Sequence, residues 1–411
     1  MKLQTAAALA LLASSTASAG RDEPPPPPLQ LVETFPVETS LDDPEIPEAH
    51  QVWLEMIEGA QETLDIAQFY VVREGEEPTR LDPILDAIDE AAKKRKVRVR
   101  LLADAKFAKT YPEQLERLGA RDGIEVRLFD MKPLTGGVLH AKYFIVDHAQ
   151  VYLGSQNFDW RSLTHVQELG VRVAEPGTVS SFCQVFQLDW ELAATDDVDE
   201  QDQLCAHAIG RVPQLARVDY GEGTVQILPV ASPKELLPNE GLWDLPRILL
   251  MLEGAKKRIR VQLLTYATIG YDGAYWDEID RALRGAAARG VEVEILVADW
   301  AKKSPKVEAL QSLQVLPGIT VKFVTIPEHS DGFIEFARVV HAKYLVVDGR
   351  RSWVGTSNWS RDYFHGSRNV GLVVVGEPFA ADLDRYFERV WTSEYAEVVD
   401  PSAEYEAPRT H

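Results

Sequence analysis

The sequence predicts an α/β protein built of two duplicated halves. Three observations predict it. The tract His-x-Lys-x-x-x-x-Asp occurs twice, as His140, Lys142 and Asp147 and as His341, Lys343 and Asp348. Adding 201 to positions 140, 142, 147, 154, 157, 170, 186 and 190 lands on the same residue type every time. Strand-type apolar runs alternate with amphipathic helical spacing in both halves, which is α/β layering. At 411 residues the chain exceeds one ordinary core and suits two.

The elements follow in order. Residues 1–19 read as a secretory signal: Lys2, an apolar Ala6 to Ala13 and the small-x-small site Ala17-Ser18-Ala19. That stretch is too short to span a bilayer, so a secreted or periplasmic protein is expected. Pro24 to Pro28 make residues 20–44 a stiff, disordered spacer. The first domain is placed at 45–195, an acidic solvated linker at 196–225, the second domain at 226–400 and a disordered tail at 401–411. Met56-Ile57-Glu58-Gly59-Ala60 closes one amphipathic helix and Met251-Leu252-Glu253-Gly254-Ala255 the other. Strands are expected over Leu64 to Val72 and Ile259 to Tyr266. Helices are expected over Leu81 to Arg95 and Trp276 to Arg289. Further strands run from Val97 and Val291, which turn fully apolar as buried strands do, and over 124–129 and 319–324. The second half gains six residues between about Thr325 and Val340, a polar loop beside the second motif.

The net charge of −21 argues against a protein that grips long duplex DNA, which must neutralise phosphates. It leaves room for a local cleft that takes one strand end or one lipid head group. Cys183 and Cys205 are the only cysteines. In an oxidising compartment they are a disulfide candidate; two buried thiols are the equal alternative. No Cys/His cluster has zinc spacing, so neither metal nor cofactor is expected.

Val339 to Val347 reads as a strand, which puts His341 and Lys343 on one face; His140 and Lys142 share a face in the same way. The chain then turns, and Gly154-Ser155-Gln156-Asn157 or Gly355-Thr356-Ser357-Asn358 returns Asn157 or Asn358 beside that pair. One half supplies one histidine. Paired about a pseudo-twofold axis, the halves supply a nucleophile and a proton donor, with lysines and asparagines for the phosphate oxygens.

The paired motif, the Gly-Ser/Thr-x-Asn turns and the duplicated halves resemble the phospholipase D superfamily over most of the chain after residue 45. Gly137-Val138-Leu139-His140, the run Gly154 to Leu163, Gln167 to Val171 and Gly355 to Ser360 resemble one branch, the animal endolysosomal 5′ exonucleases and poxvirus envelope phospholipase-like proteins. The resemblance implies two α/β/α sandwich halves and a phosphohistidine intermediate formed without metal. It implies His140 as nucleophile and His341 as general acid, with the reverse assignment nearly as well supported. It implies Asp147 and Asp348 as scaffold and Glu168 as the carboxylate that orients a histidine; Asn369, at the matching position, lacks that charge. In the branch the second motif often loses its aspartate, whereas this chain keeps both motifs whole.

Trp160, Trp359 and Tyr363 follow the turns and either stack a base, line a lipid groove or are core aromatics, core being the commonest fate of such residues. The expected partner is a phosphodiester, phospholipid or single-stranded nucleic acid. Peripheral membrane contact is compatible with this reading, and no obligate protein partner is required. A phosphatidyl transferase and an inactive binding module are the alternatives.

Overall fold

A computed structural model describes residues 26–411 except 74, 76, 271 and 272. The expected signal and the first prolines of the spacer lie outside the described residues.

Each half is a mixed sheet with helices on both faces. In the first, strands Leu29–Thr34, Val166–Val173, Gln150–Gly154, Tyr143–Val146, Thr63–Gln68, Arg98–Asp104 and Ile124–Phe129 lie side by side in that order. In the second, the order is Ala216–Tyr220, Gly223–Ser232, Asn369–Val375, Arg351–Gly355, Tyr344–Val347, Arg258–Leu263, Glu292–Ala298, Ile319–Val324 and Ala396–Val398. The three strands joined through helices are parallel and the hairpin-joined ones antiparallel, as their connections require. The outer helices Ala49–Glu58 and Asp82–Arg95 pack together, as do Asp244–Glu253 and Glu278–Ala288.

Apolar side chains form one outer cluster per half and a central cluster drawn from both. The central cluster holds the inner helices Pro176–Leu192 and Glu377–Trp391. The two halves therefore share a core and are not beads on a string.

Where the halves meet, they exchange backbone. Val339–Val340 adds in parallel to Val166–Gln167 of the first half. Leu139 bridges to Arg368 of the second. This breaks the expected nine-residue strand: His341 and Lys343 lie between strands Val339–Val340 and Tyr344–Val347, because the His341 N–H donates to Gln167 in the other half at 2.7 Å. His140 and Lys142 likewise precede Tyr143–Val146. The expected strand Leu64 to Val72 also divides, its end Val71–Val72 pairing with Phe158–Asp159.

The structure corrects three further expectations and selects one of two open alternatives for the cysteines. The described end of the 20–44 spacer is folded: Leu29–Thr34, buried except for the half-buried Gln30, forms a sheet edge. The 196–225 linker is structured. Asp197 caps helix Val198–His207 through the N–H groups of Asp199 and Glu200, and strand Ala216–Tyr220 follows. The 401–411 tail is docked, with Tyr405 against Phe323 and the Thr410 carbonyl accepting from the Phe336 N–H. Cys183 and Cys205 are free, half-buried thiols.

Candidate active site

Both histidine motifs open onto one cleft at the exchange point. A cavity of about 880 Å³ is lined by His140, His341, Asn157, Asn358 and Tyr363. A narrower one, about 210 Å³, lies on the His341 side and shares His341, Asn157, Phe69, Tyr70 and Phe107 with it. Cross-half hydrogen bonds set the histidine backbones: His140 N–H to the Arg368 carbonyl at 3.0 Å, His341 N–H to Gln167. Asp104 accepts from the Leu139 N–H at 2.9 Å and fixes the first approach.

Each ring is oriented by a residue of the opposite half. His140 Nδ1 meets Asn369 Oδ1 at 2.9 Å. Asn369 Nδ2 donates to the carbonyls of Tyr363 at 2.8 Å and Ser367 at 3.2 Å, so its other atom is the oxygen, which also accepts from Thr356. An amide oxygen facing Nδ1 requires the hydrogen there and leaves a lone pair on Nε2. His341 Nδ1 instead pairs with the Glu168 carboxyl, whose second oxygen accepts from Ser162. The Ser162 hydroxyl in turn accepts from the Asn157 N–H at 3.0 Å.

Burial pushes His140 well below the usual imidazole range, and Lys142 and Lys343 add to it. Burial acts on His341 in the same direction, with Lys343, Lys142 and His140. Burial also raises Glu168, up to about 8, against the Ser162 hydrogen bond. The Glu168–His341 pair therefore holds one proton between its partners at neutral pH. Whether that proton sits on the carboxyl or on Nδ1, the ring keeps a hydrogen on Nε2. The two histidines thus present opposite faces to the cleft: a lone pair on His140 and a proton on His341.

Lys142 and Lys343 are fully buried. Each folds back so that Nζ donates to the carbonyl of its own histidine, at 2.6 Å for Lys343. Burial and Lys343 lower Lys142; burial lowers Lys343 against the opposing pull of Glu168. Asn358 accepts from the Thr265 N–H at 3.3 Å, whereas Asn157 Oδ1 is buried without a partner. Among the described residues, no group of three or more His, Cys, Asp and Glu is placed to hold a metal ion.

The other expected residues fall outside this constellation. Asp147 and Asp348 sit in left-handed turns at the far ends of their strands. Asp147 accepts from the N–H groups of Gln61, Glu62 and Thr63, and Asp348 from Lys256, Lys257 and Arg258. Trp359 is fully buried core, and Trp160 packs edge-on against His165. Neither lines the two cavities, so of the open alternatives Trp359 takes the core one and the substrate-facing one holds for neither. Tyr363 does line the wider cavity, its ring 4.9 Å from that of His140. Sequence reasoning missed Phe69, Tyr70, Phe107 and Tyr111, which have no motif around them, and Ser162 and Thr356, which stand inside quoted motifs.

Fold and site define a two-half phosphodiester enzyme with paired histidines. The family described as "Cardiolipin synthase, PLD-like domain" matches residues 53–190 and 248–391. The 5'-3' exonuclease PLD4 of Mus musculus is 32% identical over 404 residues, covering 90% of this chain and 80% of that protein. The 5'-3' exonuclease PLD3 of Homo sapiens is 31% identical over 410 residues, covering 91% and 81%. Phospholipase D Z of Dictyostelium discoideum is 29% identical over 385 residues, covering 90% of each. The crystal structure of phosphatidylserine synthase from Haemophilus influenzae Rd KW20 shares the fold, with a TM-score of 0.59 at 14% identity over 85% of each chain. The chain belongs to the phospholipase D superfamily, in the branch of the animal exonucleases, and is a phosphodiesterase of phospholipase D type.

Proposed function

We propose that this protein is an exported exonuclease that removes nucleotides from the 5′ end of single-stranded nucleic acid through a phosphohistidine, without metal. The observation that carries the mechanism is the opposite proton placement on the two histidines. The His140 Nε2 lone pair forms a P–N bond as the bond from phosphorus to the leaving oxygen breaks. That oxygen takes the proton from His341 Nε2. Water then attacks phosphorus, gives its proton to His341, and the P–N bond breaks, restoring both rings. In this reading Lys142, Lys343, Asn157 and Asn358 stabilise the charge that gathers on the phosphoryl oxygens. The intact pair of motifs speaks against an inactive binding module.

For the substrate, support comes from the relatives named as 5'-3' exonucleases. Lys106 and Arg361 around the wider cavity, which Asp362 also lines, suit a ligand with more than one phosphate better than a single head group.

The test gives protein from residue 20 onward a 5′-hydroxyl single-stranded DNA and, separately, phosphatidylcholine vesicles, with and without EDTA. We expect shortening of the DNA, intact lipid and no effect of chelation. Head-group release or exchange with intact DNA would make this a phospholipase or transphosphatidylase. A large loss on chelation would sink the metal-free route.

A further inference from the structure

We propose that the narrow cavity beside His341 is a subsite for one nucleobase, that of the strand's terminal nucleotide, and that Phe336 closes its outer wall. The proposal rests on the strand reading above. The cavity is lined by Phe69, Tyr70, Phe107, Tyr111, Trp300 and Phe336. Phe69 and Phe107 stand 4.0 Å apart between ring centroids, and Tyr70 lies nearly parallel to Phe107 at 23°. Such faces bind any base by stacking. At about 210 Å³ the space falls below the roughly 300–1,000 Å³ of ordinary small-molecule pockets. It takes one ring system and no acyl chain.

An aromatic cage also suits a quaternary ammonium, but the charges here do not. The two acidic residues of the lining are already engaged. Asp159 is bound by Arg161 at 2.7 and 3.0 Å, and Glu168 faces His341 and Ser162. Lys142 and Lys343 stand behind the histidines. A planar, uncharged group fits this arm, and the phosphates that follow it run toward Lys106 in the wider one.

Phe336 supplies the independent observation. It lies in the second half's insertion, is 41% exposed, and has φ of +53°. A bulky residue rarely adopts that conformation, and residues held in it cluster at ligand sites. The tail holds it there. Its N–H donates to the Thr410 carbonyl at 2.9 Å, and its ring stacks on His411 at 21°. Arg409 covers the neighbouring Phe333 ring at 3.9 Å. The docked tail thus fixes an exposed aromatic wall whose ring also faces Trp300 at 6.4 Å and Arg161 at 5.8 Å.

The experiment uses the full chain and two 5′-hydroxyl strands that differ only in whether the 5′-terminal nucleotide carries its base or is abasic. Wild type, Phe336→Ala and Phe336→Trp are compared by kcat/KM, with phosphatidylcholine vesicles in parallel. We expect wild type to prefer the base-bearing strand about ten- to a hundredfold, the value of one base–aromatic stack. Phe336→Ala should lose most of that preference, and Phe336→Trp should retain it. Equal rates on the two strands in wild type would overturn the subsite and leave strand cleavage standing. A full preference in Phe336→Ala would overturn the assignment of the wall. If neither strand is cut while vesicles are hydrolysed, the strand reading falls and the subsite with it.

Discussion

The two halves place the same histidine in the same backbone setting and then partner it differently. His341 faces a buried carboxyl, Glu168, backed by Ser162; His140 faces a neutral amide, Asn369, backed by Thr356. The positions correspond, since 168 and 369 differ by the same 201 residues. A duplicated site with identical partners would give two rings of equal basicity, whereas in-line displacement needs a lone pair on one side of phosphorus and a proton on the other. One residue difference breaks the degeneracy. In the proposed mechanism the difference also gives the direction: the amide suits His140 to the nucleophile's part, and the carboxyl suits His341 to act as acid and then base.

The comparison breaks most simply by removing either ring. His140→Ala and His341→Ala should each lower kcat by at least about a thousandfold with an unchanged melting transition. Turnover near wild type in either variant would end the two-histidine mechanism. Close behind in size is a contrast in stability one residue upstream. Arg368 is fully buried, paired to Asp189 at 2.7 and 2.8 Å, and donates to the carbonyls of Ser232 and Leu236. Its counterpart Gln167 accepts one bond from Gln262 and leaves its own Nε2 without a partner. Arg368→Ala strands a buried carboxylate and should cost about 3–5 kcal/mol. Gln167→Ala should cost about 1 kcal/mol. Equal losses in urea unfolding would show that the two crossings are held alike.

Much of this was legible in the sequence because the fold is repeated. The 201-residue register located both histidines, both lysines, both asparagines and the Glu168/Asn369 difference, and strands 124–129 and 319–324 came out to the residue. What failed to show was whatever depends on the halves meeting. No pattern in Val339 to Val347 says that the chain changes sheets at His341, because the carbonyl that accepts from the His341 N–H belongs to a residue 174 positions away (341 less 167). The aromatic arm gathers Phe69, Phe107, Trp300 and Phe336 from four segments, each of which reads locally as core or loop. The errors in the spacer and linker came from weighing composition over pattern. Prolines hid the strand at Leu29–Thr34, and acidic residues hid a helix that one of them, Asp197, caps.

Smaller than loss of a ring is loss of the charge that distinguishes them. Glu168→Gln removes the group that holds the extra proton with His341, so kcat/KM should fall about a hundredfold. In the proposed mechanism the acid form of the pair is the active one. Burial raises Glu168 to about 8, so wild-type kcat/KM should be flat through neutral pH and decline above about 8. Toward acid the rate should persist well below the usual imidazole range, because burial and the two lysines hold His140 unprotonated there. Glu168→Gln should lose the alkaline decline along with the rate. If that variant keeps the wild-type profile at lower amplitude, Glu168 orients the ring without sharing a proton.

The smallest expected effect is the most direct test of the asymmetry, and it adds a group instead of removing one. Asn369→Asp places a carboxylate against His140 Nδ1 at the site of the amide oxygen, 2.9 Å away. Thr356 can still donate to it, while the Tyr363 and Ser367 carbonyls lose their donor. A neighbouring negative charge favours the imidazolium and raises the His140 pKa. A raised pKa means that the nucleophile becomes protonated as pH falls, so the variant should resemble wild type at pH 8 and fall about tenfold behind it at pH 5. The acid limb, absent from wild type in that range, should appear. A uniform loss at every pH would mean that the change misplaces the ring. An unchanged acid side would mean that the two histidines are already equivalent, and the difference between Glu168 and Asn369 would then carry no assignment of roles.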